Sequence, residues 1–146
     1  MAGNTLNVSW EEFHRQARTL AGRLRSIPSL KGIVAVTRGG LVPASVLAAE
    51  LDIRRISVVG AVGYTAERER DRELKVTGNV GHDGAGWIVV DDLVDSGRTM
   101  RHLRTMLPRA HFAAVYAKPE GRPAVDSCVA EVAQDTWIVF PWEKDD

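Results

Sequence analysis

Residues 87–99, WIVVDDLVDSGRT, hold the densest set of chemically capable side chains in the sequence. Asp91 and Asp92 are adjacent, Asp95 follows three residues on, and Ser96, Gly97, Arg98 and Thr99 close the segment. Gly97 permits a tight turn in which several backbone N–H groups converge on one point, and a following helix adds its positive end. With the hydroxyls of Ser96 and Thr99 as further donors, the segment reads as an anion cradle. A plain helix N-cap in a strand–helix turn uses the same residue types. The paired aspartates weigh between these readings. Carboxylates beside a bound anion repel it unless hydroxyl donors or a cation lie between them. Sugar hydroxyls or Mg²⁺, which takes one or two carboxylates plus substrate oxygens, meet that need. The combination fits a ribose phosphate with magnesium. Two other readings use similar residues. IVVDD resembles a Walker B strand, but no G-x-x-x-x-G-K-[ST] occurs. Phosphorylation receivers carry an acidic pair and a Lys-Pro, which Lys118-Pro119 imitates. In receivers the acidic pair follows the first strand, whereas here one helix and one strand separate Asp92 from Lys118.

The elements that must position these groups follow from periodicity. Ser9 and Glu12 form a capping-box pattern. Trp10, Phe13, Ala17, Leu20, Ala21 and Leu24 continue at helical spacing up to Pro28. KGIVAVTRGG is an apolar strand entering a glycine loop, and VPASVLAAEL is the next helix, with Pro43 in its first turn. RISVVG and GWIVV are strands. Met100, Leu103 and Leu107 mark a helix that ends at Pro108, FAAVYA is a strand, and SCVAEV and WIVF are weaker strands. Apolar strands alternating with helices predict an α/β fold: a mainly parallel, twisted sheet flanked by helices on both faces. In such folds ligands bind at the carboxyl ends of the strands. TRGGLVP, DDLVDSGRT and AKPEGRP are the loops leaving those ends. Residues 64–75, YTAERERDRELK, are dense in charge and read either as a solvated hairpin or as a lid.

The length of 146 residues suits one domain, 1–146. Lys plus Arg and Asp plus Glu are both 19, so the net charge of zero argues against a general nucleic-acid binder. The single cysteine, Cys128, excludes an internal disulfide, and the four histidines lack metal-ligand spacing. No apolar run approaches the ~20 residues of a membrane span, and the N-terminus has no signal-peptide pattern, so a cytoplasmic protein is expected.

A strand, two acids, two residues, then Asp-Ser/Thr-Gly-x-Thr resembles the phosphoribosyl-pyrophosphate (PRPP) motif of type I phosphoribosyltransferases. AVTRGGLVP, RELKV, AKPEGRP and QDTWIVFPW together resemble the bacterial xanthine-guanine branch of that family, from about Trp10 to Trp142. The resemblance implies the type I phosphoribosyltransferase fold. A hood at about 61–86 and a C-terminal segment at about 119–146 would cover the active site. It implies transfer of phosphoribose from PRPP to N9 of guanine, xanthine or hypoxanthine, with Mg²⁺ as cofactor and pyrophosphate and GMP, XMP or IMP as products. It also implies a homo-oligomer, tetramer or dimer, and peripheral association with the inner membrane.

Residue by residue, the resemblance assigns the 5′-phosphate to Asp95, Ser96, Gly97, Arg98 and Thr99. Asp91 and Asp92, with Leu93 and Val94 beside them, face the ribose and the metal, and Asp92 is the better magnesium ligand. Asp95 is the acid/base group near purine N7. Arg38 and the Gly39 N–H take pyrophosphate, after a non-proline cis peptide at Thr37–Arg38. Lys118 donates to the 6-oxo group, which excludes a 6-amino base because two donors would meet. Trp137, which by its composition alone would be core, stacks on the base. The Ile138 carbonyl reads position 2. Arg72 reaches pyrophosphate or nucleotide when the hood closes. This sequence departs from the branch at Gly63-Tyr64, where Ser-Tyr is usual, in a hood about two residues longer, and at Arg98, often glycine. We expect Arg98 to add charge near the phosphate or to pack on the hood. A hypoxanthine-preferring enzyme and a non-catalytic PRPP or nucleotide sensor of the same fold are the competing functions. The presence of Asp95, Lys118 and Trp137 argues against the sensor.

Overall fold

The computed structural model describes residues 3–62 and 74–143. In chain order the elements are β1 (Thr5–Asn7), α1 (Trp10–Leu24), β2 (Gly32–Thr37), α2 (Leu41–Leu51), β3 (Arg55–Val62), β4 (Lys75–Thr77), β5 (Trp87–Val94), α3 (Arg98–Met106), β6 (His111–Ala117), β7 (Ala130–Glu131) and β8 (Trp137–Val139). One sheet has the order β4-β3-β2-β5-β6-β7. All its pairings are parallel except β3 with β4. A second, two-stranded parallel sheet joins β1 to β8. Neither β1 nor β4 is foreseen in the sequence, because three polar or mixed residues carry no period. SCVAEV shrinks to Ala130–Glu131.

Period two along β2 explains its unbroken apolar character. Ile33 and Ala35 pack on the side of α1 and α2, with Phe13, Leu20, Leu47 and Ile88. Val34 and Val36 pack on the opposite side with Met100, Leu103 and Phe112, under α3. Each fully buried Leu or Phe of these layers contributes about 1.5–3 kcal/mol. The helices therefore cover both faces, as the alternation predicts. Ile56 and Val58 of β3 remain exposed.

The start of α1 corrects the capping box in part. Ser9 Oγ accepts from the Glu12 N–H at 3.0 Å. The Glu12 carboxylate instead takes Arg15 and Gln16, so only half of the reciprocal motif forms.

Candidate active site

The carboxyl ends of β2, β5 and β6 lie side by side, and their three loops build the site. β5 runs on past the acids to Val94 instead of stopping at Val90 as the sequence implied. Pairing with β6 sustains it: Asp91 opposes Ala114, Leu93 opposes Tyr116 and Val94 opposes Ala117. On the other edge the ladder with β2 ends at Ala35 and Val90. β2 turns away there through the cis peptide Thr37–Arg38 and the Gly40 N–H bond to the Val36 carbonyl. The acids thus occupy a strand whose β2-side edge has been vacated. The Asp92 carboxylate fills part of that space and lies against Gly39. A Cβ at Gly39 would meet its three carboxyl atoms at 2.5 to 2.6 Å.

Beyond Val94 the chain turns at Gly97, in the left-handed region at φ 87°, and α3 begins at once. The Ser96 hydroxyl accepts from the Arg98 N–H at 3.3 Å. A cavity of about 130 Å³, lined by Asp91 and residues 93–100, opens over the first turn of α3. Backbone N–H groups and hydroxyls at a helix start make it an anion site. Two supports escape sequence reading. Arg101 donates to the Ser96 carbonyl at 2.8 Å, tying the loop to its own helix. Gly121 lets the loop after β6 close on the Asp95 carbonyl, which a Cβ there would meet at 2.7 Å.

A third group of residues reaches Asp95 through Lys118 and Gln134. Lys118 is 6% exposed at the end of β6, one of two buried polar residues among those described. Its ammonium reaches Asp95 Oδ2 at 3.3 Å, and its N–H bonds the Val94 carbonyl at 3.0 Å. Gln134 donates to Asp95 Oδ1 at 2.8 Å, a contact not among the sequence expectations. Its only signal was its place three residues before Trp137. Trp137 is 67% exposed, so it is not core. Ile138 buries its side chain. The Trp137 N–H donates to the Asn4 carbonyl and the Val139 carbonyl accepts from the Val8 N–H, at the two ends of β1, and backbone groups alternate sides along a strand. The Ile138 carbonyl therefore points away from β1, on the edge with no strand partner.

Comparison with known proteins agrees with this geometry. The phosphoribosyl transferase domain model matches residues 9–145. This chain belongs to the phosphoribosyltransferase family. It is 52% identical to the xanthine-guanine phosphoribosyltransferase of Chromohalobacter salexigens over 93% of this chain and 82% of that one. With its counterpart from Desulfotalea psychrophila it shares 48% over 97% of this chain and 88% of that one. The crystal structure of a purine phosphoribosyltransferase from Pyrococcus horikoshii superimposes with a TM-score of 0.82 at 27% identity, covering 97% and 96% of the two chains. The type I phosphoribosyltransferase fold expected from the sequence is the fold found.

The acidic pair of this phosphoribosyltransferase is electrostatically loaded. Burial, then the charge of Asp92, holds the Asp91 carboxyl well above the usual carboxylate range. Burial also raises Asp92, despite its hydrogen bond with Asp91, and the charge of Glu143 adds to the rise. Asp91 Oδ1 accepts from the Asp92 N–H at 2.8 Å. Two partly buried, mutually repelling carboxylates suit a divalent cation. Among the described residues no cluster of three or more His, Cys, Asp or Glu could hold a metal unaided. An ion there would complete its shell from substrate oxygens.

The raised values fix the sign of a stability effect. A carboxyl whose folded value exceeds its unfolded one stabilises the fold at low pH, and that stability is lost as pH rises through the folded value. Asp91→Asn keeps the acceptor for the Asp92 N–H and removes one charge. At pH 7.5 it is expected to gain about 1 kcal/mol, or about 2–4 °C in Tm. The gain should vanish as pH falls and wild-type protonates. Thermal melts across pH test this, and a pH-independent difference would contradict it.

Of the residues singled out from sequence, Arg38, Gly39, Asp91, Asp92, Asp95, Ser96, Thr99 and Lys118 lie on the strand ends and loops at this end of the six-stranded sheet, and Trp137 and Ile138 lie on β8 of the two-stranded sheet. Arg72 and the hood residues 63–73 lie outside the described residues. No helix among the described residues is long and apolar enough to cross a membrane.

Proposed function

We propose that this phosphoribosyltransferase joins PRPP to N9 of guanine or xanthine, and of hypoxanthine, forming GMP, XMP or IMP and releasing pyrophosphate. One observation carries the reading. Asp95 both lines the cavity at the start of α3 and takes the buried Lys118 ammonium on its carboxylate.

The 5′-phosphate sits on residues 95–99, and the carboxylates of Asp91 and Asp92 accept from the ribose hydroxyls. Arg38 and the Gly39 N–H hold pyrophosphate. Asp92 would hold Mg²⁺, which when bound offsets the charge of the leaving pyrophosphate. The C1′–O bond breaks with its electron pair leaving on pyrophosphate, and N9 supplies the pair for the new C1′–N9 bond. The proton on N7 passes to Asp95. Lys118 donates to the 6-oxo group and Trp137 stacks on the ring. The Ile138 carbonyl, free of β1, reads position 2. A buried ammonium has no acceptor to offer, so a 6-amino base leaves two donors opposed.

The names of the relatives at about 50% identity support the base class. We expect the protein to work in the cytoplasm as a dimer or tetramer, and the exposed Ile56 and Val58 are apolar surface available for assembly.

Purified protein with PRPP and Mg²⁺, offered five bases in parallel, tests the proposal. Guanine, xanthine and hypoxanthine should give nucleotide, and adenine should lag by at least about 100-fold. No product from the three oxo-purines removes the assignment, and rapid use of adenine removes the role given to Lys118.

A further inference from the structure

Asp95 must present a fixed oxygen to the base, yet its side chain is 57% exposed, and the ion pair with Lys118 engages one of its oxygens. Lys118 holds Oδ2 at 3.3 Å. The other oxygen, Oδ1, accepts from Gln134 Nε2 at 2.8 Å. The orientation of that amide is decided by its far end: Gln134 Oε1 accepts from the Glu120 N–H at 2.9 Å. A backbone N–H can only donate, so the atom facing it must be the amide oxygen, and the NH₂ must face Asp95. The amide is thus aimed by the loop after β6 and in turn aims the carboxylate. Two donors on two oxygens suit an ionised carboxylate and stop it from turning about its last torsion.

We infer that Gln134 is a positioning residue for the base-side chemistry: it orients Asp95 between the Lys118 loop and the segment that carries Trp137. The inference rests on the proposed role of Asp95 for its effect on turnover. Its structural half, the hold on the carboxylate, stands without that role. The other charged groups on the adjoining elements include Asp91 and Asp92 on β5, Arg98, Arg101 and Arg104 on α3, and Glu120 and Arg122 after β6.

Two variants separate orientation from mere packing. Gln134→Glu keeps the acceptor for the Glu120 N–H but turns a carboxylate oxygen toward Asp95. Gln134→Met removes both bonds at similar volume. In the free protein, carbon-detected NMR should show the Asp95 carboxyl titrating about one pH unit higher in Gln134→Glu than in wild type. In turnover with guanine, kcat at pH 7 should fall about 10-fold in both variants, with the PRPP KM within about twofold. Gln134→Glu should move the acidic limb of the kcat profile upward, and further than Gln134→Met does. An unmoved Asp95 titration in Gln134→Glu overturns the inference, as does an equal loss of kcat in both variants with the profile in place. Absence of turnover in wild type would count against the proposed function alone, because the titration in the free protein still reads the hold on Asp95.

Discussion

Asp95→Asn should lower kcat with guanine by about 100–1000-fold while the KM for PRPP stays within about threefold. The reason lies in the donors around it. Lys118 approaches one oxygen and Gln134 the other. Only an acceptor-only group satisfies both. An asparagine oriented toward Gln134 presents its NH₂ to the Lys118 ammonium, and flipped it presents NH₂ to NH₂. Under the proposed mechanism it also lacks the oxygen that takes the N7 proton. The cost to folding should be small, at most about 1 kcal/mol, because the ion pair is open to water on the aspartate side. Steady-state kinetics with a separate PRPP titration measures both quantities. Parallel losses in turnover and PRPP affinity would make Asp95 a binding residue only.

Neighbouring glycines should fail in opposite ways when each receives a methyl group. At Gly39 the new Cβ meets the carboxylate of Asp92, the end of a side chain that can rotate away. Gly39→Ala should therefore fold almost normally but displace Asp92, weakening the PRPP–Mg²⁺ complex by about 10–100-fold. At Gly40 the new Cβ meets backbone: the Val90 carbonyl, the Val36 carbonyl at 2.6 Å and the Val36 N at 2.8 Å. Those atoms belong to the centre of the sheet and cannot yield cheaply. Gly40→Ala should cost about 1–3 kcal/mol of stability. Thermal melts and PRPP titrations on the two variants give the comparison. Equal destabilisation of both, with PRPP affinity unchanged in Gly39→Ala, would show that Asp92 does not depend on the space over Gly39.

Much of the site was legible because its parts are contiguous. Residues 91–99 hold acids, turn glycine and hydroxyls in one strand–helix passage, and the period of β2 and β5 places that passage at a sheet end. Local physics sufficed to read an anion cradle there, and the family resemblance added the base-reading residues. The extent of β5 was not legible. Adjacent aspartates look like a strand end, and only the β6 ladder, which continues to Ala117, carries them as strand. Trp137 also misled on composition: a large aromatic in an apolar run reads as core, yet the β1–β8 pairing turns it outward.

By itself the sequence determined the alternation of strands and helices, the strand–loop–helix passage at residues 91–99, the adjacency of its two acids and the pairing of cover with sheet. These follow from spacing and from side-chain type, which are local properties. Tertiary structure alone decided that Gly39 lies under Asp92, that Lys118 is buried beside Asp95, and that Gln134 holds the second oxygen of that carboxylate. Each of these joins residues far apart in the chain, 53 positions for Gly39 and Asp92 and 39 for Gln134 and Asp95. Such contacts have no local signal, because the partner that gives each residue its role arrives only when the sheet is assembled.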